Sequence, residues 1–216
     1  MTGTLATDCR LYLVTPPRFD PAAFRDHLAA ALDAGDVACV QLRLTDATDD
    51  QIRRAIDTLR PVVQDRDVAF LLCGRPDLAA ATGCDGVHVE QGGAAQRDAR
   101  RIVGADRIVG VSCRTSRHEA MTAGEDGADY VSFGPFFPSA TVPDVTDYAA
   151  AELVAWWAEL FEIPSVAIGG ITPATCGPLV AAGTDFLAAA SSVWDHPDGP
   201  AAAVRAFNTA IENARG

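Results

Sequence analysis

The feature that most narrows the fold is an alternation carried along the whole chain: short β-branched or apolar runs separated by longer, Ala-rich stretches with helical spacing. Such alternation is the signature of βαβ units and a parallel sheet. Strands are predicted near 11–15, 39–44, 68–73, 86–89, 108–113, 130–134, 165–169 and 185–190, each followed by a helix or a short helical turn. Pro21 opens a predicted helix over 21–34, Asp49 and Asp50 precede one over 51–59, and Pro173 heads a segment ending near Gly183. Over 147–160 the apolar residues Leu153, Val154, Trp156, Trp157 and Leu160 suit packing on a sheet, which makes the tryptophans core. Val204, Phe207 and Ile211 recur at helical spacing within 200–214 and complete an outer ring. Eight βα units in 216 residues predict an α/β chain folded as one compact (β/α)8 TIM barrel, a single domain over 1–216. A doubly wound open sheet is the alternative architecture.

Composition narrows the function. A chain that is 49% apolar has enough material for one substantial core. The formal net charge of -12, with no basic patch, argues against a nucleic-acid partner. All 17 basic residues are arginine, so Schiff-base catalysis by a lysine amine is excluded. Cys9, Cys39, Cys73, Cys84, Cys113 and Cys176 form no C-x-x-C pair, which leaves buried thiols as the expected state rather than a zinc knuckle or a redox dithiol. No apolar run approaches the roughly 20 residues a membrane span requires, and no apolar stretch follows a basic segment near Met1. A soluble cytoplasmic protein with reduced thiols is expected, with homo-oligomerisation left open.

In a barrel, chemistry collects at the carboxyl ends of the strands. The segments predicted there are Leu11-Tyr12-Leu13-Val14-Thr15, Gln41-Leu42-Arg43, Asp85-Gly86-Val87-His88-Val89, Gly110-Val111-Ser112, Gly127-Ala128-Asp129-Tyr130 leading into Phe133-Gly134-Pro135-Phe136-Phe137-Pro138, and Ala167-Ile168-Gly169-Gly170-Ile171-Thr172. Their order and spacing resemble the thiamine phosphate synthase family, which includes thiazole tautomerases, and the resemblance covers nearly the whole chain. It implies a barrel whose upper face holds a thiazole phosphate and, in the synthases, a pyrimidine pyrophosphate with magnesium. The synthase joins the two and releases pyrophosphate.

The resemblance assigns Gly169, Gly170 and either Ser191 or Ser192 to a phosphate cup, where unobstructed backbone N–H groups and a helix N-terminus meet an anion. Paired glycines that merely turn the chain are the plain alternative. It places Gln41 and Arg43, which share one strand face, in the pyrimidine and pyrophosphate site, against an alternative in which Arg43 pairs with an internal carboxylate. Ser112 matches a serine near the departing pyrophosphate, so Ser112 and Arg43 are the catalytic candidates. Tyr12, Cys73, His88, Arg114 and Thr141 are further pocket candidates, His88 as a packed, hydrogen-bonded residue inside the barrel and His118 as an acid or base one turn beyond strand five. Cys73 or Cys113 would serve as a nucleophile only with its pKa lowered by a cation such as Arg75 or Arg114.

Several family residues are replaced. Asn-Asp after strand three reads Cys73-Gly74, the aspartate of Gly-Gln-x-Asp after strand four reads Gly93, and the lysine of Thr-x-Thr-Lys after strand six reads Val142. Where tautomerases carry a histidine, Arg114 stands. Glycine offers magnesium only backbone carbonyls, so no metal or other cofactor is expected, magnesium entering only if synthase activity is retained. Losing this charge predicts catalysis that is altered or absent while a small phosphorylated metabolite still binds. Three alternatives stand beside that expectation. One is an active synthase in which Arg43, Arg75 or Arg114 replaces the lysine and Glu90 supplies metal oxygen. Another is a non-catalytic sensor of a phosphorylated metabolite. The last is a phosphate-binding barrel isomerase.

Overall fold

The computed structural model describes residues 8–139 and 146–215. Among them, strands β1 (Arg10–Val14), β2 (Val37–Leu42), β3 (Ala69–Cys73), β4 (Gly86–Val89), β5 (Ile108–Arg114), β6 (Tyr130–Phe133), β7 (Ser165–Ile168) and β8 (Phe186–Ala189) form a closed, all-parallel barrel in sequence order. β8 pairs back on β1, with Tyr12 opposite Ala188. Between the strands run α1 (Pro21–Leu32), α2 (Asp49–Gln64), α3 (Pro76–Thr82), α4 (Ala94–Val103), α5 (Arg117–Glu125), α6 (Ala151–Leu160) and α7 (Gly177–Ala181). The short α8 (Ser191–Trp194) and the long α9 (Pro200–Arg215) complete the ring. The (β/α)8 barrel is therefore the fold, and the doubly wound alternative is set aside by the β8–β1 pairing.

Local chemistry explains where the helices begin. Asp20 caps α1 by accepting from the Ala23 amide at 2.9 Å, with Pro21 at the first position. Thr48 and Gln51 form a reciprocal capping box at the start of α2. Ser116 caps α5 through the Glu119 amide. α2 runs to Gln64, five residues past the predicted end, because Pro61 lies on its exposed side, where the missing N–H is tolerated. α7 begins at Gly177 rather than near Pro173, since residues 171–176 form a turn held by Thr172 and Thr175.

The core has two parts. Outward-facing strand residues such as Leu11, Val40, Phe70 and Phe133 pack under the helices, while Tyr12, Val14, Cys39, Leu71, Tyr130, Val166 and Ala188 fill the barrel interior. Trp157 is fully buried against Phe133 and Phe161, and its indole N–H donates to the Ile163 carbonyl at 2.7 Å. Its neighbours correct the sequence expectation. Trp156 is only partly buried beneath the Arg117 guanidinium, 4.6 Å from its ring, and Leu160 is 60% exposed.

A repeated latch ties the lower rim. Asp85, Asp129 and Asp185 each follow Gly-x and stand just before β4, β6 and β8. The carboxylate of each accepts the amide proton of a residue on the preceding strand: Phe70 at 2.7 Å, Val109 at 2.7 Å and Ser165 at 2.8 Å. Strand starts otherwise leave such N–H groups without a ladder partner, so each carboxylate fixes the stagger of two strands. Asp85 also accepts from Gln64 Nε2 at 3.0 Å, linking α2 to the rim. Asp85→Ala is expected to lower folding stability by about 1–3 kcal/mol, the cost of leaving such donors unmatched. Urea unfolding checks this, and an unchanged midpoint would show the latch to be dispensable.

Candidate functional site

The carboxyl ends of the strands surround a cavity of about 540 Å3. Arg43 from the end of β2, Ser112 and Arg114 from β5, Gly169 after β7 and Ser191 at the head of α8 all line it. Val14, Ile168, Ile171 and Ala188 make its apolar wall, and Thr115 donates to Asp147 at 2.9 Å across its rim. Five predicted residues thus meet around one space. Gly170 and Ser192 are not on its wall, and Thr141 and Val142 lie outside the described residues.

The paired glycines have a packing role that the sequence left undecided. Gly169 and Gly170 adopt left-handed φ values of 103° and 63°. A Cβ on Gly169 would overlap Pro135, and one on Gly170 would overlap the carbonyls of Phe137 and Pro138. The loop after β6 therefore lies directly on the loop after β7, with Phe137 N–H donating to the Gly169 carbonyl at 3.0 Å. Ser191, which borders the same cavity, opens a helical turn whose first N–H groups have no intrahelical acceptor.

Arg43 and Arg114 carry the cavity's positive charge. Neither side chain forms an ion pair or a hydrogen bond with another described residue, so the internal-carboxylate alternative for Arg43 does not hold among them. The Arg43 backbone is pinned instead, its N–H donating to Thr15 Oγ1 at 3.0 Å and its carbonyl accepting from that hydroxyl. Arg114 sits at a left-handed φ of 50°, just past a bulge in the β5–β6 ladder. That uncommon conformation for a side-chain-bearing residue re-aims the end of β5. Arg75, by contrast, is committed to Asp49, at 2.6 and 3.0 Å, and to Asp77, at 3.0 and 2.8 Å, on the outer ring. It does not line the cavity and does not stand in for a lost cation. Glu90 and His118 border a neighbouring hollow of about 350 Å3 that Arg114 also touches.

Beneath the cavity lies a buried polar line. Tyr12 donates its hydroxyl proton to Gln41 Oε1 at 2.9 Å, the Tyr12 and Tyr130 hydroxyls are 2.9 Å apart, and Tyr130 meets His88 Nδ1 at 2.9 Å. Gln41, Tyr12 and His88 thus belong to the floor rather than the wall. Sequence patterning did not single out Tyr130. The signal was Gly110 on the adjacent strand, where any Cβ would overlap the Tyr130 ring. Burial, reinforced by the nearby Arg43 charge, lowers the His88 pKa from 6.5 to about 4. Burial likewise raises the Cys73 thiol, with Glu90 adding to the effect, and takes Cys113 up to about 12. Both shifts run opposite to the lowering that a nucleophilic thiol needs.

The two positions at which the family resemblance implies metal carboxylates are glycines. Gly74 and Gly93 stand at left-handed φ values of 71° and 68° with open space where a Cβ would be, so neither position supplies a carboxylate, while Glu90 lies on the same loop as Gly93. Among the described residues no three His, Cys, Asp or Glu side chains gather as a metal site would require.

Fold and cavity together define the class: a (β/α)8 barrel with its site at the carboxyl ends of the strands. Comparison with known proteins then fixes the family. The thiamine monophosphate synthase family model matches residues 11–193, and the chain belongs to that family. A thiamine-phosphate synthase of Rhodospirillum centenum is 65% identical over 202 residues, covering 94% of this chain and 97% of that one. One from Hyphomonas neptunium is 46% identical, with 94% of each chain covered. The solved thiamine phosphate pyrophosphorylase of Pyrococcus furiosus superposes with a TM-score of 0.82 at 27% identity, covering 99% of this chain and 100% of that one. These relatives overturn the expectation that catalysis is altered or absent. A sequence two-thirds identical, end to end, to a chain named as a synthase gives no ground for inferring lost chemistry from three substituted positions. No described helix is long and apolar enough to cross a membrane.

Because His88 is folded in its neutral form, the unfolded chain binds a proton there between pH 6.5 and about 4 that the folded chain refuses. Stability contributed by neutral His88 is present above pH 6.5 and falls as the pH drops through that window, by roughly 3 kcal/mol in all. Urea unfolding of the wild type and His88→Gln between pH 7 and pH 4 is expected to show the wild type losing that much more. Parallel curves would contradict it.

Proposed function

We propose that this chain is an active thiamine phosphate synthase with a rearranged anion site, joining a pyrimidine pyrophosphate to a thiazole phosphate and releasing pyrophosphate. The observation that carries the reading is the pair of guanidinium groups, Arg43 and Arg114, which have no side-chain partner among the described residues and line one cavity of a chain 65% identical to a named synthase. As the bond to pyrophosphate breaks, negative charge builds on the leaving oxygens, and fixed cations in a partly dry cavity stabilise it. Guanidinium groups suit this role because their forked donors match phosphate oxygens. Ser112 is assigned a hydrogen bond to the departing group. The thiazole phosphate is assigned to the opposite wall, where Gly169 and Ser191 border the cavity. Gln41, at the floor, is assigned to the pyrimidine.

Arg43→Ala and Arg114→Ala are each expected to lower kcat by roughly 100-fold or more, as loss of a transition-state charge contact does elsewhere. Arg75→Ala, which removes an outer-ring ion pair, is expected to leave kcat near the wild-type value. The measurement is thiamine phosphate formation by purified protein given both substrates, with and without magnesium. No product under either condition would refute the proposed reaction, and product formation unaffected by Arg43→Ala and Arg114→Ala would refute the assignment of the cations.

A further inference from the structure

The line of hydrogen bonds under the cavity has a direction, and the direction follows from counting protons. Each tyrosine hydroxyl has one proton to give. Tyr12 gives its proton to Gln41 Oε1, so the Tyr12–Tyr130 contact of 2.9 Å must use the proton of Tyr130. The Tyr130 oxygen can then only accept, and its 2.9 Å contact with His88 requires the proton to sit on Nδ1. An imidazole kept neutral by burial carries one N–H, which leaves His88 Nε2 bare. The polarity of the line is set at its Gln41 end, where the amide oxygen accepts from Tyr12 at 2.9 Å. Its NH2 group is therefore turned away from Tyr12.

We propose that Tyr12 and Tyr130 are positioning residues: through this directed line they hold His88 as its Nδ1–H tautomer and lock the Gln41 amide with its NH2 group turned away from Tyr12. The two ends are coupled. In the reversed line, Gln41 would donate to Tyr12, Tyr12 to Tyr130 and Tyr130 to His88 Nδ1, which would place the histidine proton on Nε2. His88 Nε2 has no partner among the described residues, and it is absent from the fully buried unpartnered polar atoms, which are Arg60 Nε, Gln96 Oε1 and Ser132 Oγ. Nε2 is then a fixed acceptor at one end of the line and the Gln41 NH2 group a fixed donor at the other. The inference deepens the proposed function by setting the hydrogen-bond polarity of the floor on which the pyrimidine is assigned, and for that role alone it rests on that reading.

Nitrogen-15 spectra of the histidine-labelled full chain at pH 7 test it, with His88 assigned through His88→Gln. The wild type is expected to show His88 with a bare Nε2 and a protonated Nδ1. Tyr12 does not bond to His88, yet Tyr12→Phe frees the Tyr130 proton to turn toward Nδ1, so the bare nitrogen is expected to move from Nε2 to Nδ1. Gln41→Met removes the acceptor at the far end and is expected to give the same reversal, which keeps the test available if one variant folds poorly. An Nε2–H tautomer in the wild type would overturn the proposal, as would an unchanged tautomer in a folded Tyr12→Phe or Gln41→Met protein. The spectra need no turnover. An inactive protein showing the reversal would count against the synthase reaction and leave the directed line standing.

Discussion

The Tyr130 ring can lie across the inside of the barrel because Gly110, opposite it on β5, has no side chain to occupy that space. From this one accommodation follows the division of the interior. Tyr130 packs with Tyr12, Val14, Cys39 and Leu71 into the apolar filling, and it presents its hydroxyl to both Tyr12 and His88. A polar line so deep is tolerable only when its members satisfy one another, since an unmatched buried donor costs about 1–3 kcal/mol. Above it the barrel opens into the cavity, where Arg43 and Arg114 stand against an apolar wall.

Charge is distributed by a similar logic. In a chain with 29 acidic and 17 basic residues, arginines on the outer ring are drawn into ion pairs: Arg10 with Asp36, Arg66 with Asp33, Arg75 with Asp49 and Asp77, Arg97 with Asp126, and Arg100 with Asp129. Among the described residues Arg43 and Arg114 have no such pairing, and both line the cavity from strand ends. The lysine and the carboxylates that the family resemblance led one to expect are absent, but positive charge at the site is not. In sequence, the missing residues outweighed the alternative of an active synthase with an arginine in place of the lysine, and the relatives overturn that order.

The strands were legible because periodicity and length mark them, and their observed bounds fall within two residues of the expected ones. Element ends were less so. Pro61 reads as a helix breaker in sequence, and only its exposed position lets α2 continue to Gln64. Leu160 fitted an apolar helical stripe, but it falls at the last turn of α6, where nothing covers it. The Gly-x-Asp latches went unread, because their purpose depends on backbone amides 15 to 20 residues away in sequence. In the site, Arg43, Ser112, Gly169 and Ser191 followed from the strand-end rule and the family resemblance. The Tyr12–Tyr130 contact, spanning 118 residues, could not be read because it depends on which side chains meet inside the closed barrel. Arg75 misled for the converse reason: its partners Asp49 and Asp77 are ordinary surface residues until the fold brings them to it.

The central claim is that Arg43 and Arg114 hold the pyrophosphate charge, and equilibrium binding of inorganic pyrophosphate addresses it without requiring turnover. Calorimetry on the wild type and on the Arg43→Ala/Arg114→Ala protein, both confirmed as folded, is expected to show affinity reduced at least about 10-fold in the variant, since a charge-assisted contact contributes about 1.5–3 kcal/mol. Equal affinity in the two proteins would contradict the account and move the anion site elsewhere on the barrel.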